Sequence, residues 1–319
     1  MSSTVFDDRH RELSFFSAPK RVVSLVPSDT LTLAALGCGG ALVGRTDYCE
    51  LPEALVAGVP TIGGTKNPRV ADIVDLNPDL ILANQEENSR SDLEALAQQG
   101  FRVFIAFPKR VADGLAHMAR LARIFHVASD PPVRSRMKQG YDALRRAEAA
   151  RKETIPLRGF CPIWAKPLMT IHGSTYISDM LDLVGIQNVF ADRERRYPLA
   201  ADLAFGRAQA AKAPEIVAPA VLLDGTTEGR DVRYPRIAEE ELLARAPEIF
   251  VLPSEPHPFS EEDANGFRAI AAAAEATNAT RAQVVFCDGK DLSWYGDRAI
   301  DGIDRLREEV QLWRATRGA

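Results

Sequence analysis

PPVRSRMKQGYDALRRAEAARKET, residues 131–154, separates two stretches of chain that look alike, each alternating short apolar runs with helical patterns. Val133, Met137, Tyr141 and Leu144 recur at helical spacing, while Arg134, Arg136, Lys138, Asp142, Arg145, Arg146, Glu148, Arg151 and Lys152 occupy the other faces. That pattern predicts a helix with one narrow buried side. A helix of about 24 residues is about 36 Å long, enough to run from one small lobe to another. Gly140 counts slightly against it, because glycine inside a helix costs about 1 kcal/mol relative to alanine.

Outward from this segment, the chain divides into an irregular tail (1–20), an α/β lobe (21–108), linking helices (109–154) and a second α/β lobe (155–319) with an insertion at 199–233. In the first lobe Arg21–Val26 reads as a buried parallel strand. Ser28 and Asp29 then open a helix that Gly37 closes. Ala41–Gly44 and Thr61–Gly64 are short extended pieces, Asp79–Ala83 and Phe101–Ala106 are strands, and Val70–Leu76 and Ser91–Gln99 are helices. Val111, Leu115, Met118, Ala122 and Phe125 mark one face of the next helix. Beyond residue 154, strands are expected at Leu157–Ile163, Glu248–Leu252 and Gln283–Cys287, and helices at Ser174–Val184, Glu239–Arg245, Glu261–Ala274 and Trp294–Arg314. This β-α alternation implies parallel sheets covered by helices, the α/β class. The insertion lies between two copies of Arg-Tyr-Pro, at 196–198 and 233–235, and the phrases Lys212–Ile216 and Arg245–Ile249 echo each other. Asp224–Gly229 reads as an exposed turn.

Composition narrows the function. The chain has 319 residues, 46% hydrophobic and 26% charged, with a net charge of −5. That balance gives no general attraction to nucleic acid, and no basic stripe interleaves with aromatics. No apolar run reaches the roughly 20 residues of a membrane span. The first twenty residues mix charges of both signs without a signal-peptide core, so the expected location is the cytoplasm, or the periplasm or cell surface if the start is misassigned. Cys38, Cys49, Cys161 and Cys287 form no CxxC pair and suit reduced thiols.

Phosphate-binding, hydrolase and zinc-protease motifs are absent, which counts against the common α/β enzymes. His10, His117, His126, His172 and His257 are too scattered for a local metal cluster. His117 and His126 read as surface or groove residues. His172, in the strand-to-helix turn Ile171–Ser174, is either a loop histidine with a backbone partner or an axial ligand to a metal in a bound macrocycle. Tyr48, Trp164, Tyr197, Trp294 and Tyr295 fall where one element hands over to the next, and would line an apolar slot or cap the core. Glu86 with Glu87, after the strand 79–83, either lines the same cleft or is solvated, and Cys49 is either a soft ligand or inert packing.

Arg21–Gly44, the loop Thr46–Cys49 with Pro52, Gly63-Gly64 and Leu76–Ala83 resemble the first lobe of the helical-backbone periplasmic binding proteins, the cobalamin and siderophore receptors of ABC transporters. Pro167–Ile171 with Tyr176-Ile177, Asn188–Asp192, Tyr234-Pro235 and Ala244–Ile249 resemble the second lobe, and the likeness is greatest to the cobalamin-binding branch. The resemblance implies two parallel-sheet lobes joined by a long backbone helix, with a ligand held between them and no chemistry performed. By similarity, Ser28, Tyr48, Gly63, Gly64, Glu86, Trp164, His172, Tyr197, Trp294 and Tyr295 would meet a corrinoid, with haem or a ferric siderophore as the alternative ligand. No resident cofactor is expected. A monomer is implied, with an ABC-transporter permease as partner; Asp72 and Asp297 are the nearest candidates for docking to it. The rival reading is a cytoplasmic tetrapyrrole- or corrinoid-modifying enzyme of the same architecture, with His172 or Glu86 as its acid–base group.

Overall fold

A computed structural model describes residues 2–211, 230–278 and 282–317. The phrase Lys212–Ile216 and the turn Asp224–Gly229 lie outside them, as does the middle of the 199–233 insertion. The chain forms two compact units, residues 1–144 with 294–301 and residues 145–293 with 302–319.

The first unit opens with a hairpin where the sequence suggested only an irregular tail. Strands β1 (Ser3–Phe6) and β2 (Glu12–Phe15) pair antiparallel, Val5 opposite Leu13. Val5 and Phe15 are buried, and Asp8 ties the turn to Arg120 at 2.5 and 3.0 Å. Strands β3 (Val22–Ser24), β4 (Leu42–Arg45), β5 (Leu80–Asn84) and β6 (Val103–Ala106) form a parallel sheet in the order β4-β3-β5-β6. Every residue of β3, β5 and β6 is buried, and all but the terminal Ser24 and Asn84 are apolar, the pattern of a sheet covered on both faces.

Helix α1 (Pro27–Ala35) starts one residue earlier than expected, with Pro27 in the first turn and Val26 at the N-cap. Proline fits the first helical position because its missing N–H has no intrahelical partner there. Ser28 and Asp29 are therefore drawn inside the first turn, fully buried, and neither caps the helix. Gly37, at φ +72°, ends it as the sequence suggests. Short helices α2 (Glu53–Val56) and α3 (Val70–Asp75) precede α4 (Arg90–Gln98) and α5 (Val111–Ile124).

Helix α6 (Pro131–Lys152) fills the segment at the centre of the chain, and the division between the units falls inside it, after Leu144. Its buried stripe runs through Val133, Gly140, Leu144 and Ala147; Tyr141, expected on that face, is exposed. Gly140 takes the place of the expected aromatic because there is no room for more. A Cβ there would lie 2.9 Å from Leu115 Cδ2 and 3.1 Å from Ile300 Cγ1.

The second unit repeats the plan. Strands β7 (Leu157–Phe160), β10 (Ile186–Asn188), β11 (Ile249–Pro253) and β12 (Gln283–Cys287) form a parallel sheet in the order β10-β7-β11-β12. In both units the second strand in sequence flanks the first, and the third and fourth follow on the other side. The chain expected as one strand over 157–163 breaks at Cys161, because Pro162 has no N–H for a ladder. It turns instead into a hairpin of β8 (Pro162–Trp164) and β9 (Met169–Thr170). Helices α7 (Tyr176–Leu183), α8 (Leu199–Ala210), α9 (Glu239–Arg245), α10 (Glu261–Asn278), α11 (Gly289–Ser293) and α12 (Asp297–Arg317) complete the described chain. The core of this unit is a nest of rings, with Phe160 5.6 to 6.0 Å from Phe190, Phe250 and Phe267.

Candidate functional site

In an open parallel sheet, ligands gather at the carboxyl ends of the strands, where the strand order reverses. That point lies beside β3 and β5 in the first unit and beside β7 and β11 in the second.

In the first unit the loop after β4 and the turn at Gly63 are joined by backbone bonds, with the Asp47 N–H donating to the Gly63 carbonyl at 3.0 Å. Gly63 sits at φ +96°, where only glycine is unstrained. A Cβ on Gly64 would stand 3.5 Å from Tyr48 Cε2 and 2.5 Å from Asn67 Oδ1. Tyr48 is 63% exposed. The structure thus brings Tyr48, Gly63 and Gly64 together, with the exposed Tyr48 ring lying beside buried glycine backbone. Glu86 adjoins it, because its carbonyl accepts a hydrogen bond from Lys66 Nζ.

Beneath these loops runs a buried polar network that sequence reasoning missed. Asn88 Nδ2 donates to the carbonyls of Leu25 (3.1 Å) and Thr65 (3.0 Å), tying three loops together. Asn84 Nδ2 donates to the Tyr295 hydroxyl at 3.3 Å, and Asn84 Oδ1 accepts the Glu86 N–H at 2.7 Å. The clue lay in two asparagines four apart at a strand end, residues that hydrogen-bond nearby backbone. Burial, then the nearby Asp29 and Glu87 carboxylates, pushes the Tyr295 hydroxyl well above its ordinary pKa. Ser28 is within hydrogen-bonding reach of that hydroxyl and is itself buried. Trp294 and Tyr295 are 6% and 2% exposed, so their rings fill space inside the protein.

His117, expected at the surface or in a groove, is wholly buried. Its Nε2 lies 2.7 Å from Asp29 Oδ1, Phe104 stacks on its ring, and Tyr295 meets it edge-on. Arg120, which can only donate, reaches Nδ1 at 3.5 Å, so Nε2 carries the proton given to Asp29. Cys49 is buried against Thr46 Oγ1 at 3.1 Å, and burial raises its thiol, which makes it packing rather than a soft ligand. Asp297 is held by Arg136, Nε to Oδ1 at 2.6 Å, with little exposure, whereas Asp72 pairs with Arg69 at the surface.

In the second unit, Trp164 ends β8 with 45% of its surface exposed, and its indole N–H donates to the Lys166 carbonyl at 3.2 Å. His257, in the loop after β11, lies against it with ring centroids 5.1 Å apart. His172 Nδ1 accepts the Ser174 backbone N–H at 3.0 Å. A backbone amide only donates, so the ring proton sits on Nε2 and the lone pair an axial ligand needs is already taken.

Tyr197 stands between the guanidinium groups of Arg195 and Arg230, 4.9 and 4.8 Å from its ring, and its hydroxyl donates to the Asp231 carbonyl. The two Arg-Tyr-Pro segments meet here, Arg195 N–H donating to the Val232 carbonyl at 2.6 Å. One carboxylate, Asp202 on α8, accepts the backbone N–H groups of both Arg196 (2.9 Å) and Arg236 (2.8 Å). Arg193, 1% exposed in its side chain, neutralises it at 2.7 Å and reaches Glu241 at 3.0 Å. The repeated motif is therefore a clasp that anchors α8.

Among the described residues no helix is long and apolar enough to cross a membrane. Two curated relatives are vitamin B12-binding proteins. That of Photorhabdus laumondii is 25% identical over 240 residues, 75% of this chain and 72% of the relative. That of Yersinia pestis strain Pestoides F is 30% identical over 182 residues, 57% of this chain and 64% of the relative. Among solved structures, the periplasmic vitamin B12 binding protein BtuF of Vibrio cholerae superposes with a TM-score of 0.66 at 20% identity, covering 92% of this chain and 97% of that one. A periplasmic haem-binding protein from Pseudomonas aeruginosa gives 0.62, also at 20% identity, with 91% of each chain covered. These structures share the fold, and the pattern of the family described as periplasmic binding protein runs through residues 22–292: the chain belongs to that family.

Proposed function

We propose that the chain binds a metal-containing macrocycle, cobalamin or a related corrinoid first and haem or a ferric siderophore second, and hands it on without chemical change. The observation that carries the reading is the Tyr48 ring, exposed and seated over Gly64 at the carboxyl edge of the first sheet. An exposed aromatic face on glycine-lined backbone suits a flat ring system edged with amides. Trp164 is the corresponding surface of the second unit. The vitamin B12-binding relatives favour a corrinoid, and the haem-binding structural neighbour favours the alternative. Family membership supports work in the periplasm and delivery to an ABC-transporter permease. Asp72, whose carboxylate is surface-exposed, is the better placed of the two docking acids.

Titration with hydroxocobalamin, followed by the visible spectrum and by retention on a desalting column, tests this directly. Retained corrinoid is expected. Tyr48→Ala and Trp164→Ala should each weaken binding by about tenfold or more, as loss of an aromatic anchor does. If neither cobalamin, haemin nor a ferric siderophore is retained, the reading fails.

A further inference from the structure

Among the described residues no three His, Cys, Asp or Glu side chains come together to hold a metal ion. In the macrocycle reading above, the metal arrives inside its own chelate and needs only one donor from the protein. Three of the histidines are placed against that role. His117 is buried with both ring nitrogens engaged, the His172 lone pair is taken by Ser174, and His126 lies at the surface where α5 ends. His10 sits in the β1–β2 turn.

His257 differs from all of them. It lies in the loop after β11, beside the point where strand order reverses in the second sheet. Its ring is wedged between Trp164, 5.1 Å away, and Phe259, which meets it edge-on at 4.6 Å. Phe259 is anchored in the core against Phe267. The His257 side chain is 25% exposed, and its Nε2 lies 3.9 Å from Asp263 Oδ2. Asp263 is itself fixed by the backbone N–H and the hydroxyl of Ser260, both at 2.9 Å. At 3.9 Å the carboxylate is a charged neighbour of Nε2 and not a hydrogen-bond acceptor, and among the described residues no hydrogen bond occupies either ring nitrogen. Nδ1 is the one turned from Asp263, and a carboxylate beside the far nitrogen is the usual companion of a metal-binding histidine.

We propose that His257 is the axial ligand to the metal of the bound macrocycle, donating through Nδ1, with Asp263 as the charged neighbour of Nε2 and Trp164 as the aromatic wall beside the ring. The assignment rests on the ligand reading above. The step is a ligand exchange: the Nδ1 lone pair forms a bond to the metal, the metal–water bond breaks, and water leaves, with no change of oxidation state.

The probe is a cobinamide carrying water in both axial positions, which lacks an internal base and so reports a protein nitrogen through its visible bands. The wild-type protein should shift those bands on binding. His257→Ala should retain the corrinoid without the shift, and added imidazole should restore it, whereas His172→Ala should shift as the wild type does. Retention with no shift in the wild type, or an unchanged shift in His257→Ala, overturns the axial assignment and leaves the ligand reading standing. Loss of the shift in His172→Ala alone would move the assignment to that residue. Failure to retain any corrinoid or haemin overturns both.

Discussion

Gly140 offers a test of the packing in which the sign of the effect, and not only its size, is at stake. In an open helix position, Gly→Ala stabilises by about 1 kcal/mol through propensity and reduced unfolded-chain entropy. On α6 the added methyl would lie 2.9 Å from Leu115 Cδ2 and 3.1 and 3.2 Å from Ile300 Cγ1 and Cδ1. Relaxed carbon contacts are about 3.5–4.0 Å. Leu115 and Ile300 are 0% and 2% exposed, so both must shift within a filled core. Overpacking of that kind costs about 1–3 kcal/mol, which offsets the helical gain and leaves Gly140→Ala neutral to about 2 kcal/mol destabilising.

Gly266 on α10 is the matched control, being exposed with nothing within 4 Å of its would-be Cβ. Gly266→Ala should stabilise by about 1 kcal/mol, a rise of roughly 2–4 °C in Tm for a unit of this size. Urea titrations of both variants, with m-values checked for constancy, give the comparison. Leu115→Ala adds a second arm, because removing the colliding methyls should make the double variant with Gly140→Ala less damaging than the sum of the two, by about 0.5 kcal/mol or more. Equal stabilisation by both Gly→Ala changes, with additive behaviour against Leu115→Ala, would refute the close packing of α6.

Arg193→Ala leaves Asp202 buried without its cation and Glu241 with Arg245 alone, 3.5 Å away. A loss of about 3–5 kcal/mol is expected, and limited proteolysis should show new cleavage in α8, whereas an unchanged urea midpoint would count against the clasp. Glu309 is raised above the usual carboxylate pKa, first by burial and then by Asp291 and Asp288. A carboxyl raised in the folded state contributes stability at low pH that is lost as pH rises through the folded value. Glu309→Gln should therefore match the wild type near pH 4 and exceed it in urea midpoint at pH 8; equal midpoints at both pH values would refute the assignment.

The sheets were legible because a parallel strand covered on both faces is a near-continuous apolar run, and Leu80, Ile81, Leu82 and Ala83 or Val103–Ala106 can be read as little else. The β1–β2 hairpin was not, because its short strands mix polar and apolar residues and pair only through a turn held by Asp7, whose carboxylate accepts the Arg9 and Arg11 N–H groups at 2.9 Å. The stripe of α6 was misjudged at Tyr141 for a reason of the opposite kind: spacing identifies a face, but which residue on it must be smallest depends on Leu115 and Ile300, distant in sequence.

The candidate site divides in the same way. Tyr48, Gly63 and Gly64 were candidates from residue type and position in the chain, and the fold joins them, with the Asp47 N–H meeting the Gly63 carbonyl and Tyr48 lying beside Gly64. Histidine gives no such signal, since its role turns on where two lone pairs and one proton end up. His172 read either as a loop histidine with a backbone partner or as an axial ligand, and an N–H two residues along the chain takes its Nδ1 lone pair. His257, flanked by Pro256 and Pro258, read as one scattered histidine among five, and its distinguishing neighbours are Trp164, 93 positions earlier (257 − 164), and Asp263, six positions later. What sets His257 apart from His117 and His172 is thus that no hydrogen bond among the described residues occupies its ring nitrogens, which residue type and spacing leave open and the packed chain fixes.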